Sequence, residues 1–294
     1  MNTREKLIAV FQDTQKFYAE NKILIDAVKY GKKYTVLYET DDYSPLPQSS
    51  GERDGEIQVI KARSFEAAIS AHKSFPQKKI AVLNFASATH PGGGVKHGSR
   101  AQEESLCRCS TLFPTIDRKW LWEKYYNVNR SRNDCRYSDA CIYSPGVIIC
   151  KTDEYIPKRM EPEDFVTVDV ITCAAPNLRH EPLNWRNSET GKLVRMNPGQ
   201  LYDLHVKRVK HILNVAASND VDILILGAFG CGAFKNDPYT VAKAHRTALD
   251  EYKNKFDRIL FAIYCRDYET ENFKAFSQFL VNSADTDIKP FKEE

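Results

Sequence analysis

Residues 79–104 read KIAVLNFASATHPGGGVKHGSRAQEE. The run Lys79–Phe85 is short, apolar and carries β-branched residues, the pattern of a strand buried on both faces. Pro91 and three successive glycines interrupt it, and a helix is predicted from about Ala101. The same order returns at residues 222–238, DILILGAFGCGAFKNDP. There a buried strand over Asp222–Leu226 leads through a glycine-rich loop to Asp237-Pro238, an N-cap and N1 pair. Strands that alternate with helices in this way predict an α/β chain with a mostly parallel sheet covered on both faces.

Outward from these two units the pattern repeats. The first thirty or so residues read as helix, with Leu7, Val10, Phe11 and Tyr18 on one face. Such a face must dock, so this segment is read as an extension of the main domain. Asp41–Asp54, DDYSPLPQSSGERD, reads as a loop. A strand is expected at Ile57–Ile60, and Ser64 as the N-cap of a helix through about His72. Further strands are expected at Gly146–Cys150, Phe165–Thr172 and Arg258–Tyr264. Asn197-Pro198 opens a helix, and a last amphipathic helix runs to about Phe279. The tail DTDIKPFKEE reads as frayed. No internal repeat or linker divides the chain, so one domain over residues 1–294 is expected, with 1–50 as its helical extension.

Composition narrows the function. A net charge of +3 over 294 residues excludes a histone-like or tail-driven nucleic-acid binder, but leaves room for a local anion site. No stretch approaches the roughly 18 apolar residues of a membrane span. The opening MNTREKLIAVFQDTQKF has no apolar core and does not read as a secretory signal. Eight scattered cysteines, several in apolar runs such as GVIICK and LFAIYC, fit reduced thiols in the cytoplasm. The segment Lys119–Arg136 mixes Trp120, Trp122, Tyr125 and Tyr126 with Lys124, Arg130, Arg132 and Arg136. It resembles a stacking-and-phosphate surface, but a helix with its aromatics packed inward and its charges solvated is the reading preferred.

The chemistry concentrates in the two loops. In open α/β sheets ligands bind beyond the carboxyl ends of the strands. Consecutive N–H groups at Gly92-Gly93-Gly94 could cradle phosphate oxygens, and Gly227–Phe234 alternates small residues with two aromatics. A backbone cradle with an aromatic platform suits a phosphorylated sugar nucleotide; a glycine turn that is only a turn stays open. Neither loop is a P-loop or a G-x-G-x-x-G fingerprint, and there is no G-x-S-x-G elbow. Glu103 and Glu104 open the helix after the first loop. They fit helix-dipole stabilisation, or a carboxyl placed against a ligand, one orienting a hydroxyl while the other donates a proton. Cys107 and Cys109 diverge on a helix and make a poor metal pair.

The run NFASATHPGGGVKHGSRAQEESLCRCSTL, with seven residues between Gly92-Gly93-Gly94 and Gln102-Glu103-Glu104, resembles the signature of bacterial-type poly(ADP-ribose) glycohydrolases. The loop GAFGCGAF resembles the diphosphate-binding loop of the same macrodomain-related family. The likeness extends over the N-terminal extension and the spacing of GVIICK, DVITCAAPN and LFAIYC, nearly the whole chain. It implies a macrodomain-like fold: a mixed, mostly parallel sheet between helices, with an N-terminal helical extension. It implies hydrolysis of ribose–ribose O-glycosidic bonds in poly(ADP-ribose), releasing ADP-ribose. By motif position Glu104 is the catalytic acid/base and Glu103 its partner on the ribose hydroxyls. Gly92, Gly93 and Gly94 would line the distal ribose and diphosphate. Gly230, Cys231, Gly232 and Ala233 would form the diphosphate cradle, and Phe234 would pack on the terminal ribose. Asn84 and Gln102 would brace the catalytic loop. Ser87 stands where many relatives carry an asparagine near the ribose, which puts one ligand hydrogen bond in doubt. The chemistry calls for no metal and no cofactor. The expected partners are poly(ADP-ribose) or an ADP-ribosylated substrate and the ADP-ribose product, with no membrane and no obligatory DNA or RNA. Cleavage of another ADP-ribosyl linkage, or ADP-ribose binding without catalysis, are the alternatives.

Overall fold

A computed structural model describes residues 2–40, 53, 55–181, 191–266, 268 and 270–281. Seven strands form one sheet in the order β1-β4-β5-β3-β6-β7-β2. They are β1 (Val36–Tyr38), β2 (Glu56–Ile60), β3 (Ile80–Phe85), β4 (Cys141–Ile149), β5 (Val166–Cys173), β6 (Ile223–Leu226) and β7 (Arg258–Ala262). Strands β5, β3, β6, β7 and β2 run parallel, and β4 and β1 join antiparallel at one edge. The sheet is therefore mixed and mostly parallel, as the alternating pattern predicts.

Period-two alternation divides the core. Ile80 and Val82 of β3 face one side, packed with Phe65, Leu106 and Phe11. Ala81 and Leu83 face the other, packed with Val209, Ile212 and Val241. The first face is covered by α1 (Thr3–Glu20), α3 (Ser64–Ser74) and α4 (Gln102–Cys109). The second is covered by α5 (Pro198–Ser218), α6 (Pro238–Tyr252) and α7 (Glu271–Leu280). Because both sides are covered, the central strands can be apolar throughout, which is why they read as continuous runs.

Several local expectations are corrected. The single N-terminal helix is two, α1 and α2 (Lys22–Tyr34). Asn21 is extended between them, and its side chain accepts the N–H groups of Ile23 and Leu24, so it caps the second. On α1 the buried face is Leu7, Phe11 and Thr14; Val10 and Tyr18 lie at its margin. Ser64 is the first helical residue rather than the cap, because Asp153 takes the Phe65 N–H at 3.1 Å. Strand β4 begins at Cys141, five residues before the expected start, with a register shift around Pro145-Gly146. The caps Asn197 and Asp237 fall where expected. In the Trp-rich segment Tyr125 and Tyr126 are buried, and Trp122 donates to Asp117 at 2.9 Å. Its aromatics thus pack inward, and the stacking-surface reading falls. Apart from Arg53, the loop expected over Asp41–Asp54 lies outside the described residues, as does the tail 285–294. Among the described residues no helix is long and apolar enough to cross a membrane.

Candidate active site

Strands β3 and β6 are hydrogen-bonded neighbours, with Ile80 opposite Ile223 and Val82 opposite Ile225. Their carboxyl ends therefore deliver the two glycine-rich loops to the same place. A cavity of about 800 Å³ opens between them, within the range of small-molecule sites. From the first unit it is lined by Gly93, Gly94, Gln102, Glu103 and Glu104. From the second it is lined by Gly230, Gly232, Ala233 and Phe234.

Both carboxylates are buried, at 3% and 7% exposure for Glu103 and Glu104. The Ser87 N–H donates to Glu103 Oε2 at 2.7 Å. The Gly92 N–H donates to Glu103 Oε1 at 3.2 Å, with Asn84 Nδ2 at 3.5 Å from the same oxygen. The Gly94 N–H donates to Glu104 Oε1 at 2.8 Å, while Oε2 is buried with no partner. The triple glycine thus spends two of its three amides on the protein's own carboxylates. The Gly93 N–H closes a turn on the His90 carbonyl. The expectation that these three amides cradle phosphate is corrected: α4 carries two acceptors into the loop, which take the Gly92 and Gly94 donors, and the turn takes the third.

The glycines have a different reason to be there. Gly93 has φ +54, and a Cβ on it would stand 2.6 Å from Glu104 Oε1 and 3.0 Å from Glu103 Oε2. Only a residue without a side chain lets the backbone pass this close to both carboxyls. Gln102 fixes the start of α4 against β3. It accepts the Phe85 N–H at 2.9 Å and donates to the Leu83 carbonyl at 2.7 Å. Asn84 is fully buried behind Glu103 and donates to Thr172 at 3.1 Å. Both residues brace the site; Asn84 and Gly92 stand behind the cavity wall, not on its surface.

Burial raises both carboxyls above their ordinary value, and the Glu104 charge pushes Glu103 further. The Gly94 amide and the Arg108 guanidinium hold Glu104 back. Arg108 lies one turn along α4, is itself buried, and donates to the Ser99 carbonyl at 2.6 Å.

The second loop is organised by Asn236. Its Nδ2 donates to the carbonyls of Pro176 (2.7 Å), Gly230 (3.1 Å) and Phe234 (3.3 Å). Its Oδ1 faces His205 Nε2 at 2.8 Å. Burial lowers His205 to about 3, so the ring is neutral and Nε2 carries the proton. With the carbonyls drawn inward, the N–H groups of Gly230, Gly232, Ala233 and Phe234 take no acceptor among the described residues. These four line the cavity. A Cβ on Gly232 would meet nothing within 4 Å, so that residue faces open space. Cys231 is corrected: its N–H closes a turn on the Ala228 carbonyl, and its thiol packs against the core, where burial pushes it up. Phe234 is half-buried beside Tyr137, with ring centroids 6.4 Å apart, and the Arg179 guanidinium lies 5.9 Å from its ring.

Tyr137 at the cavity wall and the Asn236–His205 pair behind the second loop have no counterpart in the sequence-based expectations. Tyr137 lines the cavity with φ +58, a conformation that non-glycine residues avoid. Arg208 holds it by donating to the carbonyls of Arg136 and Tyr137. Ser87 lines the cavity, but its hydroxyl accepts the Thr89 and His90 N–H groups of its own loop. Among the described residues no group of three His, Cys, Asp or Glu could hold a metal.

The family model "Microbial-type PARG, catalytic domain" matches residues 5–152, which take in the whole first loop and both carboxylates. The chain belongs to this family. The PARG fold is seen in solved relatives. The poly(ADP-ribose) glycohydrolase of Thermomonospora curvata, bound to the inhibitor ADP-HPD, is 28% identical with a TM-score of 0.76. The match covers 94% of this chain and 99% of that one. The PARG of Deinococcus radiodurans, in complex with ADP-ribose, is 31% identical with a TM-score of 0.71. Here 85% of this chain and 95% of that chain are covered. No curated protein sequence matches. The structural likeness, at 94% of this chain, runs well beyond residue 152.

Proposed function

We propose that this protein hydrolyses ribose–ribose O-glycosidic bonds in poly(ADP-ribose) and releases ADP-ribose, with Glu104 as general acid and then general base. One observation carries the assignment of the acid. Glu104 presents a buried oxygen without a partner, in the same cavity as four uncommitted backbone N–H groups. The amides of Gly230, Gly232, Ala233 and Phe234 suit the diphosphate, and the Phe234 ring suits the terminal ribose. Gly93 and Gly94 line the wall beside the reacting ribose, with Gly92 and Asn84 as its backing.

The steps follow from the protonation state. Burial keeps the Glu104 carboxyl protonated above the ordinary carboxylate range, so a proton is available where the leaving oxygen departs. The bond breaks through an oxocarbenium-like state, and the carboxylate left behind deprotonates the attacking water. Glu103 is saturated by Ser87, Gly92 and Asn84, which suits it to orient a ribose hydroxyl and not to shuttle a proton. Acid–base help of this kind supplies roughly 10²–10⁴-fold in rate.

The same reading takes residues 1–294 as one catalytic unit with 1–50 as its extension. It also takes the cytoplasm as its site of action, which six cysteines buried in the core suit. The reading is tested by following ADP-ribose released from the polymer and from a mono-ADP-ribosylated protein. Release from the polymer supports it. Release from the mono-ADP-ribosylated protein alone moves the activity to another linkage, and binding without release makes the protein a reader.

A further inference from the structure

The active-site cavity lies beyond the carboxyl ends of β3 and β6. An open groove of about 640 Å³ lies at the other end of the sheet. Lys79, Ile80 and Val168, near the amino ends of β3 and β5, form one wall, and Ile23, Ala27 and Tyr30 of α2 form the other. The six residues of β3 keep the two places about 20 Å apart, at about 3.3 Å per residue. Helix α2 carries three stripes at helical spacing. Leu24, Val28 and Gly31 are buried. Ile23, Ala27, Tyr30 and Tyr34 form a second apolar stripe, in which Ile23, Tyr30 and Tyr34 are 46%, 50% and 45% exposed. Lys22, Asp26, Lys29 and Lys33 form the third and face solvent. Tyr30 is pinned as a platform: its ring lies on the β4 bulge, where a Cβ on Gly146 would stand 2.7 Å from it. The Tyr34 ring follows at 4.7 Å, with Lys33 Nζ 4.9 Å from its centre.

Charge is concentrated on the same helix. Four lysines and one aspartate give α2 a net +3, which equals the net charge of the entire chain. Asp26 is shared by Lys22 at 3.5 Å and Lys29 at 3.7 Å, so one carboxylate answers two lysines. Helix stability accounts for part of the pattern only. Lys32 and Lys33 in the last turn favour the helix dipole, whereas Lys22 in the first turn opposes it. An exposed pair of rings bordered by excess cations suits a flexible polyanion that carries bases, since rings stack on bases and ammonium groups neutralise phosphates. Every unit of poly(ADP-ribose) supplies an adenine and a diphosphate. We infer that the outer face of α2 is an exosite, which holds a distal stretch of the same poly(ADP-ribose) chain whose end occupies the cavity. The inference rests on the poly(ADP-ribose) reading of the cavity. It adds that long polymers are gripped at both ends of the sheet and short ones at the cavity alone.

The test is a set of titrations on the whole chain carrying Glu104→Gln to suppress turnover. The probes are ADP-ribose, purified poly(ADP-ribose) of about 20 units, long enough to reach round the molecule, and a single-stranded DNA of matched charge. At low salt the polymer is expected to bind at least about tenfold tighter than ADP-ribose, since a tethered second contact raises apparent affinity. Adding Lys29→Glu together with Lys33→Glu, both at exposed positions, is expected to abolish that preference and to leave ADP-ribose affinity within about twofold. The salt dependence of polymer binding should fall in the same variant, because fewer phosphates are neutralised. Adding Tyr34→Leu instead, which keeps an apolar side chain but removes the ring, is expected to weaken polymer binding about fivefold. Equal affinity for polymer and ADP-ribose, or a preference that survives the lysine reversal, overturns the exosite while ADP-ribose binding upholds the cavity. DNA binding as tight as the polymer's, and lost with the same two lysines, overturns the polymer as the occupant of α2. Failure of ADP-ribose itself to bind overturns the reading of the cavity, and the inference with it.

Discussion

At the scale of single residues, the site is a contest for a few backbone amides. Glu103 and Glu104 take those of Ser87, Gly92 and Gly94, and the ligand is left those of the second loop. Gly93→Ala should lower kcat by about 10²-fold, since displacement of an acid by about 1 Å costs that much. Affinity for ADP-ribose should change less, and a variant with parental kcat would contradict the close approach of Gly93 to the carboxyls. The raised carboxyls also carry a stability signature. Their ordinary value is 4.5, and the folded state keeps its protons above that pH. Their contribution is complete below about pH 4.5 and is lost as pH rises through the raised values. The melting temperature of Glu104→Gln minus that of the parent should therefore rise between about pH 5 and pH 8, by about 2–4 °C for each kcal/mol relieved. A difference that stays flat or falls would refute the burial argument.

At the scale of elements, two devices hold the loops. Asn236 draws three carbonyls inward and frees the N–H groups beside them. Asn236→Ala should weaken ADP-ribose binding by about tenfold, as a released loop loses its ordered donors; calorimetric titration giving the parental affinity would show that the loop holds without it. Helix α1 supports α4 from behind. The Thr14 hydroxyl donates to the Arg108 carbonyl at 2.6 Å, and Phe11 meets Phe113 edge-on at 5.1 Å. Beside them Lys151, 1% exposed, donates to Asp13 at 2.7 Å and to the Val10 carbonyl at 2.9 Å. Asp13→Ala strands that ammonium. The expected loss is about 1–3 kcal/mol, below the full cost for a buried pair because Asp13 is partly exposed. Chemical denaturation checks it, and an unchanged midpoint would show that α1 docks through its apolar face alone.

At the scale of the whole molecule, what the sequence discloses is what local pattern controls. Lys79–Phe85 and Asp222–Leu226 are legible as buried strands because both faces of the sheet are covered. Asn197 and Asp237 are legible as caps because capping is settled within four residues. Strand β1 escapes, being only three residues long and paired at the sheet edge with β4. The break at Asn21 escapes because the apolar pattern runs on through it, although an asparagine there is a cap signal. In the site, the two loops and the Gln102-Glu103-Glu104 triplet are legible from composition and resemblance. The disposition of the amides is not, because it depends on how far α4 carries its carboxylates into a loop ten residues away. Asn236 and His205 are 31 residues apart and meet only once α5 lies on the sheet. Tyr137 has no local sign of its left-handed backbone, which Arg208 imposes from another element.

The central claim is that Glu104 is the acid in a cavity built for ADP-ribose. It is tested most directly by incubating parent and Glu104→Gln proteins with poly(ADP-ribose) and following ADP-ribose release, with ADP-ribose binding measured on both. The account predicts release by the parent, a loss of at least about 10²-fold in the variant, and binding retained within a few-fold. Turnover by Glu104→Gln at the parental rate would remove this residue from its role.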